Sequence, residues 1–123
     1  MTEPAERQQM TLKDRIDELA RQRQKIELGG GQDRIDKQHQ AGKLTARERI
    51  DLLVDEQSFQ EQYAFAKHRA KYFGMEGKEL PADGVVTGSG AVGGRQVYLA
   101  SHDFTVVGGS AGEIHCDKIT EMM

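Results

Sequence analysis

Cysteine occurs once in the 123 residues, at Cys116, which excludes an internal disulfide and fits a reducing compartment. No apolar run approaches the roughly 20 residues that cross a bilayer. The opening MTEPAERQQM also lacks the cationic start and apolar core of a secretory leader. A soluble, cytoplasmic protein is the expectation. An excess of one charge is missing too: 17 Lys and Arg face 20 Asp and Glu, 11 against 13 up to Gln62 and 6 against 7 after it. That balance leaves no basic footprint for nucleic acid or acidic lipid. Apolar residues are scarce, 37% with a mean hydropathy of -0.68. A chain of one-domain length is therefore expected to bury a modest core and to lean on more chain or a partner for cover.

What is present begins with helical periodicity. Leu12, Ile16, Leu19 and Ile26 recur at spacings that place them on one stripe of a helix from Thr11 to Leu28. Thr11 and Asp14 can cap its start, and Gly29, Gly30 and Gly31 supply a left-handed stop. A shorter helix is expected from about Asp33 to Ala41, with Ile35 and His39 on one face and Gly42 as terminator. Thr45 and Glu48 have the spacing of a reciprocal capping box ahead of Ala46, Ile50, Leu53 and Val54, which predicts a third helix starting at Ala46. The piece holding Phe59, Tyr63 and Phe65 reads equally well as extended or helical. From Lys67 to Pro81 the mixture of charge with Tyr72, Phe73 and Met75 around Gly74 and Gly77 predicts an ordered surface loop, pinned by some of its apolar side chains.

At Asp83 the charge thins out and glycine and β-branched residues take over. Val85, Val86 and Thr87 open a strand, Gly93 and Gly94 suit a two-residue hairpin, and Arg95 to Ala100 forms the return. Gly88 and Gly90 weaken a strand, so a bulge or a close backbone approach is expected at them. Ser110 and Glu113 have capping-box spacing ahead of a last helix carrying Ile114, Ile119 and Met122.

Several features bear on chemistry. Val106 to Glu113 (VVGGSAGE) joins a Gly-rich turn to a helix start, where backbone N–H groups and the helix dipole favour an anionic or polarised oxygen. Spacing alone favours a plain strand-to-helix connection. The segment is not a Walker loop, since no Lys follows the glycines, and it lacks dinucleotide spacing. Ser101, His102 and Asp103 are the residue types of a hydrolase triad, but three successive residues of an extended chain point to alternating faces and form no relay. His102, Asp103, His115 and Cys116 have a poor chelating arrangement for a metal. Lys67, His68, Arg69 and Lys71 form the one local basic cluster, and solvated surface is the simpler account of it. No side-chain pair is set up as acid and base or as nucleophile and base.

Read as a string, GKLTARERIDLLVDEQSF (Gly42 to Phe59) and PADGVVTGSGAVGGRQVYLASHDFTVVGGSAGE (Pro81 to Glu113) closely resemble the start of the carboxyltransferase subunits of biotin-dependent acyl-CoA carboxylases. The likeness includes FGM (Phe73 to Met75) and the pattern from Arg34 to His39, runs from about Leu19 to the end, and is greatest to the methylmalonyl-CoA transcarboxylase and decarboxylase branch. The resemblance implies an α/β, crotonase-like domain. On that basis residues 1–79 are expected to be a helical amino-terminal arm and loop that helps subunit contacts. Residues 80–123 are expected to be the first hairpin and helix start of an incomplete acyl-CoA domain.

The chemistry so implied is carboxyl transfer between carboxybiotin and an acyl-CoA. The biotin would be carried by a carboxyl carrier partner, with biotin carboxylase or decarboxylase subunits and a homo-oligomer as further partners. Relatives stabilise thioester enolate and ureido oxygen with backbone N–H pairs, each donor contributing about 3 to 4 kcal/mol, which fits the lack of catalytic side chains here. Carried over by position, Phe104, Gly108, Gly109, Ser110, Ala111 and Gly112 are expected beside the acyl-CoA. Gly108 and Gly109 would admit the ligand to the backbone, and Ser110 would cap the helix. The chain stops at Met123, before the glycine-rich element that donates the first oxyanion hole in the family. The expectation is therefore a fragment, truncated product or split subunit, inactive alone and without catalytic residues of its own. His102 stands where many relatives have Gln. The rival readings are a non-catalytic helical and hairpin interaction module and a small hydrolase using His102 or Cys116.

Overall fold

The computed structural model describes residues 10–70, 72 and 74–123. Lys71 and Phe73, named above in the basic cluster and the FGM pattern, lie outside the described residues. Helix α1 spans Leu12–Glu27, and its capping box is formed as expected: Thr11 Oγ1 accepts from the Asp14 N–H while the Asp14 carboxylate accepts from the Thr11 N–H. Helix α2 follows at Gln32–Gln40, ending on Gly42 at φ +74°, and α3 at Ala46–Leu53 carries the second capping box, Thr45 with Glu48. Glu48 also takes a hydrogen bond from His39, which with the cap holds its carboxyl below the usual range and ties α2 to α3.

The ambiguous segment around Phe59 resolves as extended. Strand β1, Gln60–Gln62, pairs antiparallel with β2, Val85–Val92, which pairs in turn with β3, Arg95–His102, giving the order β1-β2-β3. The pairing crosses from the first expected region into the second. Gly93 and Gly94, at φ +59° and +78°, turn the hairpin, and the Asp55 carboxylate accepts from both of their N–H groups at 2.9 and 2.8 Å. Strand β3 runs two residues beyond the expected return, and the final helix α4 occupies Glu113–Met122.

Strand β2 is central and buried from Val85 to Gly90 because both its faces are covered. On one face α3 packs Ala46 and Ile50 against Val86, with Val54, Phe59 and Leu99 around them. The glycines of β2 permit close approach, Gly88 to the β1 segment and Gly90 to the end of α3, and the strand has no bulge. A Cβ at Gly88 would lie 2.2 Å from the Gln60 carbonyl oxygen, and one at Gly90 would lie 3.0 Å from Val54 Cγ1. On the other face α4 sets the fully buried His115 and Lys118 against the start of β2. The core is small, as the composition predicts. Helix α1 buries no residue at all, and Leu12, Ile16 and Leu19 are 75%, 57% and 49% exposed. The loop after Lys67 is only partly pinned, with Met75 half-buried and Tyr72 80% exposed.

Candidate functional site

The segment after β3 is locked at its root. The Asp103 N–H donates to the Gly84 carbonyl at 2.8 Å, and the Asp103 carboxylate accepts from the Thr105 N–H at 3.0 Å and from its hydroxyl. The Gly29–Gly31 turn docks on the same spot: the Gly30 N–H donates to Thr105 Oγ1, and a Cβ at Gly30 would lie 1.7 Å from the Thr105 carbonyl oxygen. With Val106 buried, the backbone then makes a tight turn in which Val107, Gly108 and Gly109 sit at φ +47°, +60° and +74°. Glycine adopts this region freely, but a β-branched valine there stores on the order of 1–3 kcal/mol of strain. Ser110 closes the turn by donating its hydroxyl to the Val107 carbonyl at 2.7 Å.

This turn faces the α2–α3 connection across a cavity of about 350 Å³ lined by Lys43, Arg49, His102, Phe104, Gly108 and Gly109, among others. Phe104 is 61% exposed, and Lys43 Nζ stands 5.8 Å from the centre of its ring, within cation–π range. A Cβ on Gly108 would meet nothing within 4 Å, so the space over its backbone is open. The cavity thus offers one aromatic face, two cations and an accessible backbone, a set suited to a ligand with both anionic and apolar parts. Of the residues expected beside a ligand, the structure brings Phe104, Gly108 and Gly109 together on this wall. Ser110, Ala111 and Gly112 follow them towards α4 and do not line it. A larger cavity, about 560 Å³ between α1, α3 and β1, is lined by Arg47 and Glu61, which satisfy each other in a two-point ion pair at 2.6 and 2.9 Å.

The start of α4 departs from expectation. Its N-cap is Gly112, and Ser110 makes no cap because its hydroxyl is turned back to Val107. The cap arrives from 32 residues away: Asp83 Oδ2 accepts the His115 N–H at 2.7 Å. The protein's own carboxylate therefore occupies part of the helix end that the sequence suggested for a bound anion. Asp83 sits with Ala82 in a left-handed turn, φ +49° and +53°, which α4 clamps. His115 Nδ1 bonds the Asp83 carbonyl at 2.8 Å, and Lys118 Nζ donates to the carbonyls of Ala82 and Val85 at 2.7 and 2.6 Å. Burial lowers the Lys118 pKa to about 8, partly countered by the charges of Glu61 and Asp83. The chain of bonds continues outward, His115 Nε2 lying 2.9 Å from His102 Nδ1.

The hydrolase constellation disperses. Ser101 donates to the Ala46 carbonyl, His102 joins His115, and Asp103 binds Thr105. Cys116 is exposed, and among the described residues no three His, Cys, Asp or Glu side chains gather as for a metal. In the basic cluster, Arg69 pairs with Glu113 and His68 with the Lys78 carbonyl. Sequence reasoning missed Lys43, Arg49 and the Asp83–His115–Lys118 clamp. One signal existed for the clamp, because His115 and Lys118 are three apart in a helix and so share the face that must meet β2.

Residues 37–123 match the carboxyl transferase domain family. The chain is 56% identical over 113 residues to the methylmalonyl-CoA carboxyltransferase 12S subunit of Propionibacterium freudenreichii subsp. shermanii, covering 92% of this chain and 22% of that protein. It is 54% identical over 114 residues to the carboxyltransferase subunit of propionyl-CoA carboxylase from Haloferax mediterranei, covering 93% and 22%. The crystal structure of transcarboxylase 12S, a hexamer described with methylmalonyl-coenzyme A bound, superposes with a TM-score of 0.90 at 55% identity, covering 92% of this chain and 22% of that one. The chain thus spans about a fifth of the length of these relatives.

Proposed function

This chain belongs to the carboxyl transferase domain family, and from that premise we propose that it forms part of the acyl-CoA wall of a biotin-dependent carboxyltransferase of the propionyl-CoA and methylmalonyl-CoA type. The whole enzyme moves a carboxyl group between carboxybiotin, held on a carrier partner, and an acyl-CoA. In this reading residues 1–79 are the arm that makes subunit contacts in a cytoplasmic homo-oligomer, and residues 80–123 begin the acyl-CoA domain. Biotin carboxylase or decarboxylase subunits complete the assembly.

One observation carries the assignment of the wall: the exposed Phe104 ring and the open backbone at Gly108 share a cavity with two cations, Lys43 and Arg49. Charged phosphates would meet those cations while the apolar part of an acyl-CoA lies along Phe104. Ser110, Ala111 and Gly112 lie outside this cavity and, in this reading, meet the acyl-CoA further along the segment towards α4. The chain's contribution is to bind and orient.

The test is Phe104→Ala and Gly109→Ala in an intact homologous subunit, with circular dichroism to confirm folding. Phe104 is mostly exposed, so its loss costs little stability. A rise of about 10-fold in KM for acyl-CoA is expected, the equivalent of about 1.4 kcal/mol of lost binding. Unchanged KM and turnover in both variants would overturn the reading.

A further inference from the structure

The hydrogen-bond chain that starts in the buried clamp ends at the cavity, and its polarity can be derived. The Asp83 backbone carbonyl only accepts, so His115 Nδ1, 2.8 Å away, carries the proton. In the neutral ring His115 Nε2 is then an acceptor, and the group 2.9 Å from it, His102 Nδ1, must donate. That leaves the Nε2 of neutral His102 as a bare lone pair. His115 is fully buried, whereas His102 is exposed and lines the cavity beside Phe104, Gly108 and Gly109. The rings lie 4.8 Å apart, centre to centre, with an interplanar angle of 35°.

We propose that His102 is a specificity-determining residue of this cavity, holding its Nε2 as a fixed acceptor for an uncharged N–H or O–H group of the ligand. Asp83 and His115 act as positioning residues that set the tautomer. The proposal rests on the acyl-CoA reading of the wall and adds to it a polarity requirement. Lys43 and Arg49 select for negative charge, whereas His102 Nε2 selects for a neutral donor and disfavours a second acceptor at the same point.

The tautomers are read on the unmodified full chain by imidazole nitrogen resonances in ¹⁵N-histidine-labelled protein at pH 8. Both His102 and His115 are expected with the proton on Nδ1. A proton on His102 Nε2 overturns the proposal. Coenzyme A is then titrated into the same sample. The expected result is an upfield shift of His102 Nε2 together with movement of the amides from Phe104 to Gly109. If those amides move while His102 Nε2 does not, the proposal falls and the acyl-CoA reading stands. If coenzyme A moves neither, the proposal falls, and the acyl-CoA reading is decided by the Phe104→Ala and Gly109→Ala variants of the intact subunit. In a third measurement His102→Phe is expected to weaken coenzyme A binding about 10-fold, the scale of one lost hydrogen bond, with His102→Gln restoring most of it. Equal affinity of the His102→Phe variant and the parent chain also overturns the proposal.

Discussion

Lys118 shows how a single side chain is shaped by its surroundings. Its ammonium is nearly inaccessible yet makes two good hydrogen bonds to carbonyls, and burial brings its pKa from 10.5 down to about 8. Because the folded pKa lies below the unfolded one, the unfolded chain binds more protons between about pH 8 and 10.5, and the contribution of Lys118 to stability rises with pH across that window. Urea denaturation at pH 7.5 and pH 9.5 checks this: the midpoint gain from this residue is expected in the parent chain and is missing in Lys118→Met. Gly30 is the second decisive residue. Its missing Cβ lets the turn after α1 touch the Thr105 carbonyl, so Gly30→Ala is expected to cost about 2 to 3 kcal/mol in the same assay. The sequence shows three successive glycines there, more than a helix stop requires. It does not show which surface they approach, because the partner lies 75 residues away.

The elements were legible to different depths for a physical reason. Both Thr capping boxes, the hairpin glycines and the three early helices depend on residues within four positions of one another, and all appear as the spacings predict. The cap of α4 has the same local signature in Ser110 and Glu113, yet the structure caps it from Asp83 because the preceding turn takes Ser110 for itself. Strand β1 was ambiguous because three residues carry no periodicity of their own, and its state is decided by pairing with β2. Ser110→Ala is therefore expected to change stability by less than about 0.5 kcal/mol, whereas Asp83→Ala loses a cap and is expected to cost about 2 kcal/mol. Thermal denaturation of the two variants separates the local cap from the distant one, and equal losses would favour the local one.

At the scale of the whole molecule, the core matches what composition allows, one small apolar cluster on the α3 face of a three-stranded sheet and a buried polar clamp on the α4 face. The amphipathic α1 is the clearest helix in the sequence and the least buried in the structure. Periodicity reveals that a stripe wants cover but not where the cover comes from. Replacing Leu12 and Ile16 by Gln is thus expected to leave the stability of this chain within about 0.5 kcal/mol. The same change in an intact homologous subunit is expected to shift assembly towards smaller species, as read by sedimentation velocity.

The carboxyltransferase resemblance was legible as a string, and the matches to residues 37–123 and to the transcarboxylase 12S structure establish it. The cavity was only half legible. Phe104, Gly108 and Gly109 lie in one run of sequence, while Lys43 and Arg49 reach them only through the packing of α3 on the sheet. The central claim is that this run forms the acyl-CoA wall. Its most direct test is hydrogen–deuterium exchange of an intact homologous subunit with and without acyl-CoA, followed over the peptide equivalent to Phe104–Gly112. Ligand-dependent protection of that peptide is predicted, and protection confined to other parts of the subunit would contradict the account.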